Sequence, residues 1–295
     1  MKWGVCTTAK APLPQLLAFV AWHKHLGADN IWVHLDDADP VSANVLGQID
    51  GVTPVLCDDA YWAVKGDRPR RQEPRQSYNV QRVYGLTYLP FLAHVDVDEY
   101  ILPSRPVADI LDDFKSSDPY ISMRPAEALH DADLPDDIFT ARQFRLPFPP
   151  KMPDVQKRAV LGEFAEVLPR NVLSHQVGKA IFRTGLAGFK PKLHAGTWEG
   201  EDHIRVGKHP ELLVLHFHAQ NRKEWHAALP HRVRDGAYRF NEPLAAYLGG
   251  ATQEEVERFY DHTQVAQEPL LSALDAHGLL VEAELRLKEK VEALF

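Results

Sequence analysis

Three Asp-x-Asp triplets stand in the chain, Asp37-Ala-Asp39, Asp96-Val-Asp98 and Asp131-Ala-Asp133, and they do not read alike. The first and third lie in polar, turn-forming sequence, where aspartates cap helices or accept hydrogen bonds from their own backbone. The second follows the mostly apolar run Phe91-Leu-Ala-His-Val95 and precedes Glu99-Tyr-Ile-Leu102. In extended chain, period-two spacing sends Asp96 and Asp98 to one side at the end of a buried strand. Two carboxylates so placed repel each other unless a cation joins them. Mg²⁺ and Mn²⁺ suit such a pair, because these hard ions are commonly shared between acidic side chains and the phosphates of a substrate. His216-Phe-His218 closes another apolar run; in a strand its two imidazoles share a face, and either can complete a metal shell. Lys179 follows Gly178 without the rest of a phosphate loop, and remains a candidate for neutralising a phosphate or a carboxylate. Arg75 and Asn79, spaced i,i+4, share a helical face leading towards Asp96.

The elements around these residues alternate. Residues 3–7 read as a short strand, and Leu16, Leu17, Val20 and Ala21 recur at helical spacing until Gly27. Runs 31–35, 52–57 and 91–95 read as further strands, each followed by acidic residues, and 73–88 as a helix with Tyr78, Val83 and Leu86 inward. Strands alternating with helices imply a mostly parallel, Rossmann-like sheet with flanking helices, whose ligands sit beyond the carboxyl ends of the strands. Those ends carry Thr7 and Thr8, Asp36 and Asp37, and Asp96 and Asp98, so three segments converge on one polar rim. Beyond it, Ser104 is placed to cap a helix through Phe114, 120–123 reads as a strand, and the prolines at 147, 149, 150 and 153 mark a long irregular insertion. Residues 179–183 and 212–218 read as strands, Asn221 caps a helix, and Thr252 with Glu255 forms a capping box. Glu282 with Arg286 and Glu284 with Lys288 are spaced as i,i+4 pairs of a helical tail.

Composition narrows the functions. The 295 residues are 45% apolar and 25% charged, which is a globular composition. With 33 Lys and Arg against 41 Asp and Glu, the net charge of -8 offers no basic excess for a nucleic-acid backbone. Two cysteines, Cys6 and Cys57, are too few for a disulfide framework or a structural zinc. The N-terminus does not read as a signal peptide and no apolar run spans a bilayer, so a cytoplasmic protein is expected, with peripheral membrane association left open. A Gly-x-Ser-x-Gly elbow, a His-Glu-x-x-His helix and a Gly-x-Gly-x-x-Gly fingerprint are missing, against the simplest hydrolase and dinucleotide readings.

Three blocks carry a resemblance. Trp22-His-Lys-His-Leu-Gly-Ala-Asp-Asn-Ile-Trp-Val-His-Leu-Asp36, then Arg75-Gln-Ser-Tyr-Asn79 through His94-Val-Asp-Val-Asp-Glu-Tyr100, then Leu215-His-Phe-His218, resemble blocks of bacterial glycosyltransferases of the GT-A fold. The chain is similar to the family 2-like group that also resembles family 92. Gln15 stands where relatives often carry an acidic residue. The resemblance implies a GT-A domain over residues 1–240 with a C-terminal helical extension over 241–295. It implies Mn²⁺ or Mg²⁺ held by Asp96, Asp98 and His216, with His218 as the alternate. A nucleotide-sugar donor, a UDP-sugar by preference, would lie along Thr7, Asp36, Arg75, Asn79, Asp96 and Lys179. The acceptor would be a glycan or small-molecule hydroxyl.

In such a reaction the cation stabilises charge on the departing diphosphate, and an inverting enzyme also needs a carboxylate to take the acceptor's proton. Glu201 and Asp202 are the candidates for that base. Two other readings use the same residues: a metal-dependent hydrolase or nucleotidyltransferase, and a nucleotide-sugar-binding protein without turnover. The 120–175 insertion is where acceptor specificity is expected.

Overall fold

A computed structural model of the protein describes residues 1–295 except 115–116, 132, 135–139, 175, 200–203, 220–221 and 235. In chain order its strands are β1 (Gly4–Ala9), β2 (Asn30–Leu35), β3 (Val52–Leu56), β4 (Phe91–His94), β5 (Glu99–Pro103), β6 (Tyr120–Ala128), β7 (Gln143–Arg145), β8 (Ala180–Arg183), β9 (Phe189–Pro191), β10 (Gly196–Trp198), β11 (Lys208–His216) and β12 (Leu280–Glu282). Its helices are α1 (Leu13–His25), α2 (Pro40–Leu46), α3 (Asp59–Ala63), α4 (Gln72–Leu86), α5 (Val107–Asp113), α6 (Asp154–Leu161), α7 (Arg222–Arg234), α8 (Glu242–Gly250), α9 (Gln253–Gln264), α10 (Leu270–Ala276) and α11 (Leu287–Glu292). No helix among the described residues is long and apolar enough to cross a membrane.

The chain forms two compact units. The first comprises Met1–Arg124, Val177–Val214 and Leu287–Phe295, the second Pro125–Gln176 and Leu215–Arg286. The division therefore does not fall at residue 240, because the chain leaves the first unit, returns through β8 and comes back again with α11.

In the first unit, β3, β2, β1 and β4 pair in parallel, as expected for strands joined by helical crossovers. The sheet continues antiparallel through β8 to the first residues of β6. Both faces are apolar, for the reason that alternate residues of a strand project to opposite sides. Val5, Ala93 and Ile181 pack with Leu16, Phe19 and Val20 of α1 on one face. Their chain neighbours Cys6, Leu92 and Phe182 pack with Val80, Val83 and Tyr84 of α4 on the other. The mixed α/β layering matches the sequence reading, and α8 to α11 supply the helical C-terminal part.

Local expectations fail in instructive places. Leu86 is 79% exposed, since periodicity names a face but not how far the packed layer extends along a helix. Ser104 does not cap α5, which Pro106 introduces; Ser104 is drawn to β11 instead, its amide donating to the Glu211 carbonyl at 3.0 Å. Residues 282–286 are not helical, because β12 pairs antiparallel with β7 and claims Glu282 for the sheet. The capping box of Thr252 and Glu255 is present at the start of α9.

In the second unit the end of β6 pairs with β7, and β7 with β12. A buried ion pair stands at this pairing: Arg145 donates to Glu127 at 3.1 Å, to Gln264 Oε1 at 2.9 Å and to the Thr263 carbonyl. Burial alone would raise the Glu127 carboxyl, but the Arg145 guanidinium holds it below its ordinary range.

Candidate functional site

The parallel strands β3, β2, β1 and β4 direct their carboxyl ends to one edge of the first unit, where open sheets of this kind take ligands. One turn of α4 fastens three of those ends. Arg75 donates through Nε to Asp36 Oδ1 at 2.8 Å and through Nη2 to Oδ2 at 2.7 Å, clamping the residue that follows β2. Gln76 Nε2 donates to Asp96 Oδ1 at 2.6 Å, beyond β4. Asn79 Nδ2 donates to Thr8 Oγ1 of β1 at 2.9 Å, and its Oδ1 accepts from the Tyr61 hydroxyl at 2.6 Å. The three segments expected to converge are thus joined by one helix. The partners differ from the expectation that Arg75 and Asn79 lead to Asp96: they hold Asp36 and Thr8, and Gln76 reaches Asp96. A neutral amide in a polar helix has no pattern in sequence that would single it out.

Beside this clamp a cavity of about 400 Å³ opens, lined by Lys10, Asp36, Asp37, Cys57, Asp58 and Arg68 among others. Arg68 spans it, donating to the Asp36 carbonyl at 2.8 Å and lying 3.2 Å from its carboxylate, while remaining half exposed. Asp58 caps α3 by accepting from the Tyr61 amide at 2.8 Å. Burial and the neighbouring Asp36 push the Cys57 thiol up to about 12, so it stays protonated. Thr7 is fully buried and does not line the cavity; Thr8, its neighbour, is the threonine that α4 engages. Asp39 caps α2 and Asp131 accepts from the Asp133 amide in a turn, as their polar, turn-forming sequence leads one to expect.

The Asp96-Val-Asp98 triplet is organised differently from the strand end expected of it. β4 stops at His94, and residues 95–98 turn, with the Glu99 amide donating to the Asp96 carbonyl at 3.0 Å. Strand alternation therefore does not set the directions of Asp96 and Asp98. Lys179, only 1% exposed, sets one of them. Its ammonium donates to Asp96 Oδ2 at 2.8 Å and lies 3.2 Å from Glu99 Oε2, so it neutralises carboxylates of the protein. Glu99 is fully buried and accepts from the Asp96 amide at 2.8 Å. Burial by itself would raise the Asp96 carboxyl, but the Lys179 charge holds it below its ordinary range. Burial likewise works to lower Lys179, and Asp96 with Glu99 outweighs it, raising the ammonium above its usual value. Asp98 lies half-buried in the same turn.

Among the described residues, no group of three or more His, Cys, Asp and Glu is close enough to hold a metal ion. His216 and His218 belong to the second unit, where their rings lie 5.0 Å apart. His216 Nδ1 is 3.0 Å from Ser174 Oγ, and His218 Nε2 is 3.0 Å from the Tyr238 hydroxyl. The expected base candidates Glu201 and Asp202, and the expected cap Asn221, lie outside the described residues.

No protein-family model matches the chain, and no curated protein matches it. Among solved structures it is similar to HddC from Yersinia pseudotuberculosis, at 9% identity over 77% of this chain and 98% of that one, with a TM-score of 0.37. It is also similar to residues 1–349 of S. aureus TarS, at 11% identity over 100% of this chain and 83% of that one, TM-score 0.31. CMP:2-keto-3-deoxy-manno-octonic acid synthetase complexed with CTP is a third, at 11% identity over 96% and 88%, TM-score 0.29. Superpositions this loose assign no activity.

Sequence reasoning missed Gln76 and the part played by Glu99. Glu99 was visible in the Asp-Val-Asp-Glu block, but only the fold shows that it shares a cation with Asp96.

Proposed function

We propose that the protein is a glycosyltransferase that moves a sugar from a nucleotide-diphosphate donor to a hydroxyl acceptor. The observation that carries this reading is the clamp of Arg75, Gln76 and Asn79 on the ends of β2, β4 and β1, beside an open cavity at the sheet edge. A donor diphosphate needs positive charge and fixed donors at such an edge, and Lys10 and Arg68 face the cavity from two segments. Asp36, held on two sides by arginines, is a rigid acceptor for hydroxyls of the nucleoside.

The same edge suits a divalent cation in chemical type. Asp96 and Asp98 would hold Mg²⁺ or Mn²⁺; each Asp96 oxygen accepts one hydrogen bond and keeps a second lone pair. Such ions are often bound by one or two carboxylates, with substrate phosphates and water filling the remaining positions. The chemistry the ion supplies when bound is charge stabilisation on the leaving diphosphate. The residues of the chain do the rest: Lys179 keeps Asp96 ionised, and Gln76 fixes its direction.

The test is a thermal-shift panel of UDP, GDP, CMP and ADP, each with and without Mn²⁺. A ligand at about 100 times its Kd adds roughly 2.7 kcal/mol, a rise of about 5–10 °C for units of this size. Stabilisation by one nucleoside diphosphate, and sugar transfer from its conjugate, is the expected result. Pyrophosphate release from a nucleoside triphosphate would assign a nucleotidyltransferase instead, and no response to any nucleotide would overturn the proposal.

A further inference from the structure

A second and larger cavity of the first unit, about 790 Å³, is lined by residues of α4, β6 and β11, by Val177 and by residues 192–195 and 204–206. That volume holds a mono- or disaccharide. Its described lining includes the side chains of Lys192, Arg205, Lys208 and His194, and no carboxylate. Among the described residues no acidic group pairs with Lys192, Arg205 or Lys208, whereas Lys179, Arg75 and Arg105 of the same unit all bind carboxylates. Three cations around one hollow that no acidic group among the described residues compensates, in a protein of net charge -8, form a local field that favours an anion. Lys208 is exposed as a residue, yet its ammonium turns inward, donating to Ser122 Oγ at 3.0 Å. Loss of solvent there lowers its pKa to about 8, the behaviour of an ammonium without a counter-ion.

The cavity adjoins the acidic turn through the chain itself. Ser77 follows Gln76, which holds Asp96; Val177 lies two residues before Lys179, which holds the same carboxylate. His194 Nδ1 donates to the Gly178 carbonyl at 2.7 Å, and the Leu193 carbonyl lies 3.4 Å from His94 Nδ1, two residues ahead of Asp96. The walls of the cavity and the supports of Asp96 are thus the same short segments.

We propose that this cavity binds the acceptor, and that the acceptor carries an anionic group, a phosphate or a carboxylate, held by Lys192, Arg205 and Lys208. The word acceptor rests on the transferase reading; the binding of an anionic sugar does not. The experiment is calorimetric titration of the intact protein, at constant ionic strength, with glucose, glucose 6-phosphate, glucuronate and inorganic phosphate. The expected result is binding of glucose 6-phosphate or glucuronate at least tenfold tighter than glucose, the stronger of the two naming the anion. The double variant Lys192→Gln/Lys208→Gln should lose that preference while keeping its melting temperature and its response to nucleoside diphosphates. Equal binding of charged and neutral sugars, or a preference that survives the double variant, would overturn the proposal. If anionic sugars bind and no nucleotide does, the transferase reading fails and the anion site stands; if nucleotides bind and anionic sugars gain nothing, the reverse holds.

Discussion

Replacing Lys179 with methionine removes one ammonium and leaves a side chain of similar length. That ammonium is the cation between Asp96 Oδ2 at 2.8 Å and Glu99 Oε2 at 3.2 Å, and it is 1% exposed. Breaking a buried pair by deleting one partner costs about 3–5 kcal/mol, because the remaining charge keeps its desolvation penalty without its compensation. Here two carboxylates lose the same partner, so the upper part of that range applies. At about 2–4 °C per kcal/mol for units of this size, the melting temperature should fall by roughly 8–20 °C. The pH dependence separates this cause from a packing defect. In the native protein Asp96 is held below its ordinary range, so its contribution is present above the usual carboxylate value and fades as pH falls through the lowered one. In the variant, protonation relieves the repulsion between Asp96 and Glu99. The difference in stability between the two proteins should therefore shrink steadily from pH 7.5 to pH 4.5. Urea denaturation of both proteins across that range measures it. A loss below about 1 kcal/mol at pH 7.5, or a loss that does not change with pH, would refute the ion-pair account.

Asp98→Asn should leave the melting temperature within about 1 °C, since it changes charge with little change of volume at a half-buried turn, and should weaken Mn²⁺-dependent nucleotide binding; titration with and without Mn²⁺ reads both. Gly178→Ala should unfold or strongly destabilise the protein, because φ is +75° there and a Cβ would lie 1.9 Å from the Met123 carbonyl oxygen; soluble yield and melting temperature report it. His23, His34 and His94 are each lowered, chiefly by burial, from 6.5 to about 4. Between those values the unfolded chain binds more protons, so stability should fall as pH drops from about 6.5 to 4, by up to about 1.4 kcal/mol per pH unit for each histidine. A flat denaturation midpoint from pH 7 to pH 5 would contradict their buried, neutral state.

The parallel strands and the two long helices of the first hundred residues were legible because their apolar patterns are strong and local, whereas the short α2 and α3 were not: 31–35, 52–57 and 91–95 appear as β2, β3 and β4 with one bound of each shifted by a residue. The rim of Thr8, Asp36 and Asp96 was legible for the same reason, since strand ends follow from strand bounds. Their partners were not. Gln76 meets Asp96 across 20 residues and Lys179 meets it across 83, and no local periodicity encodes such separations. The antiparallel half of the sheet was also hidden, because β8 reaches β4 only after the chain has left the first unit, passed through Pro125–Gln176 of the second and returned.

Sequence alone determined the class of fold and the acidic character of the sheet edge, both of which depend on residue type and short-range order. Tertiary structure decided which charge meets which. Asp96 reads as one of two like carboxylates awaiting a cation, and only the folded chain shows that a buried lysine already stands beside it, while among the described residues no carboxylate pairs with the cations lining the larger cavity. The physical reason is that Coulomb interactions act through space at a few ångströms, a distance that the order of residues along the chain does not contain.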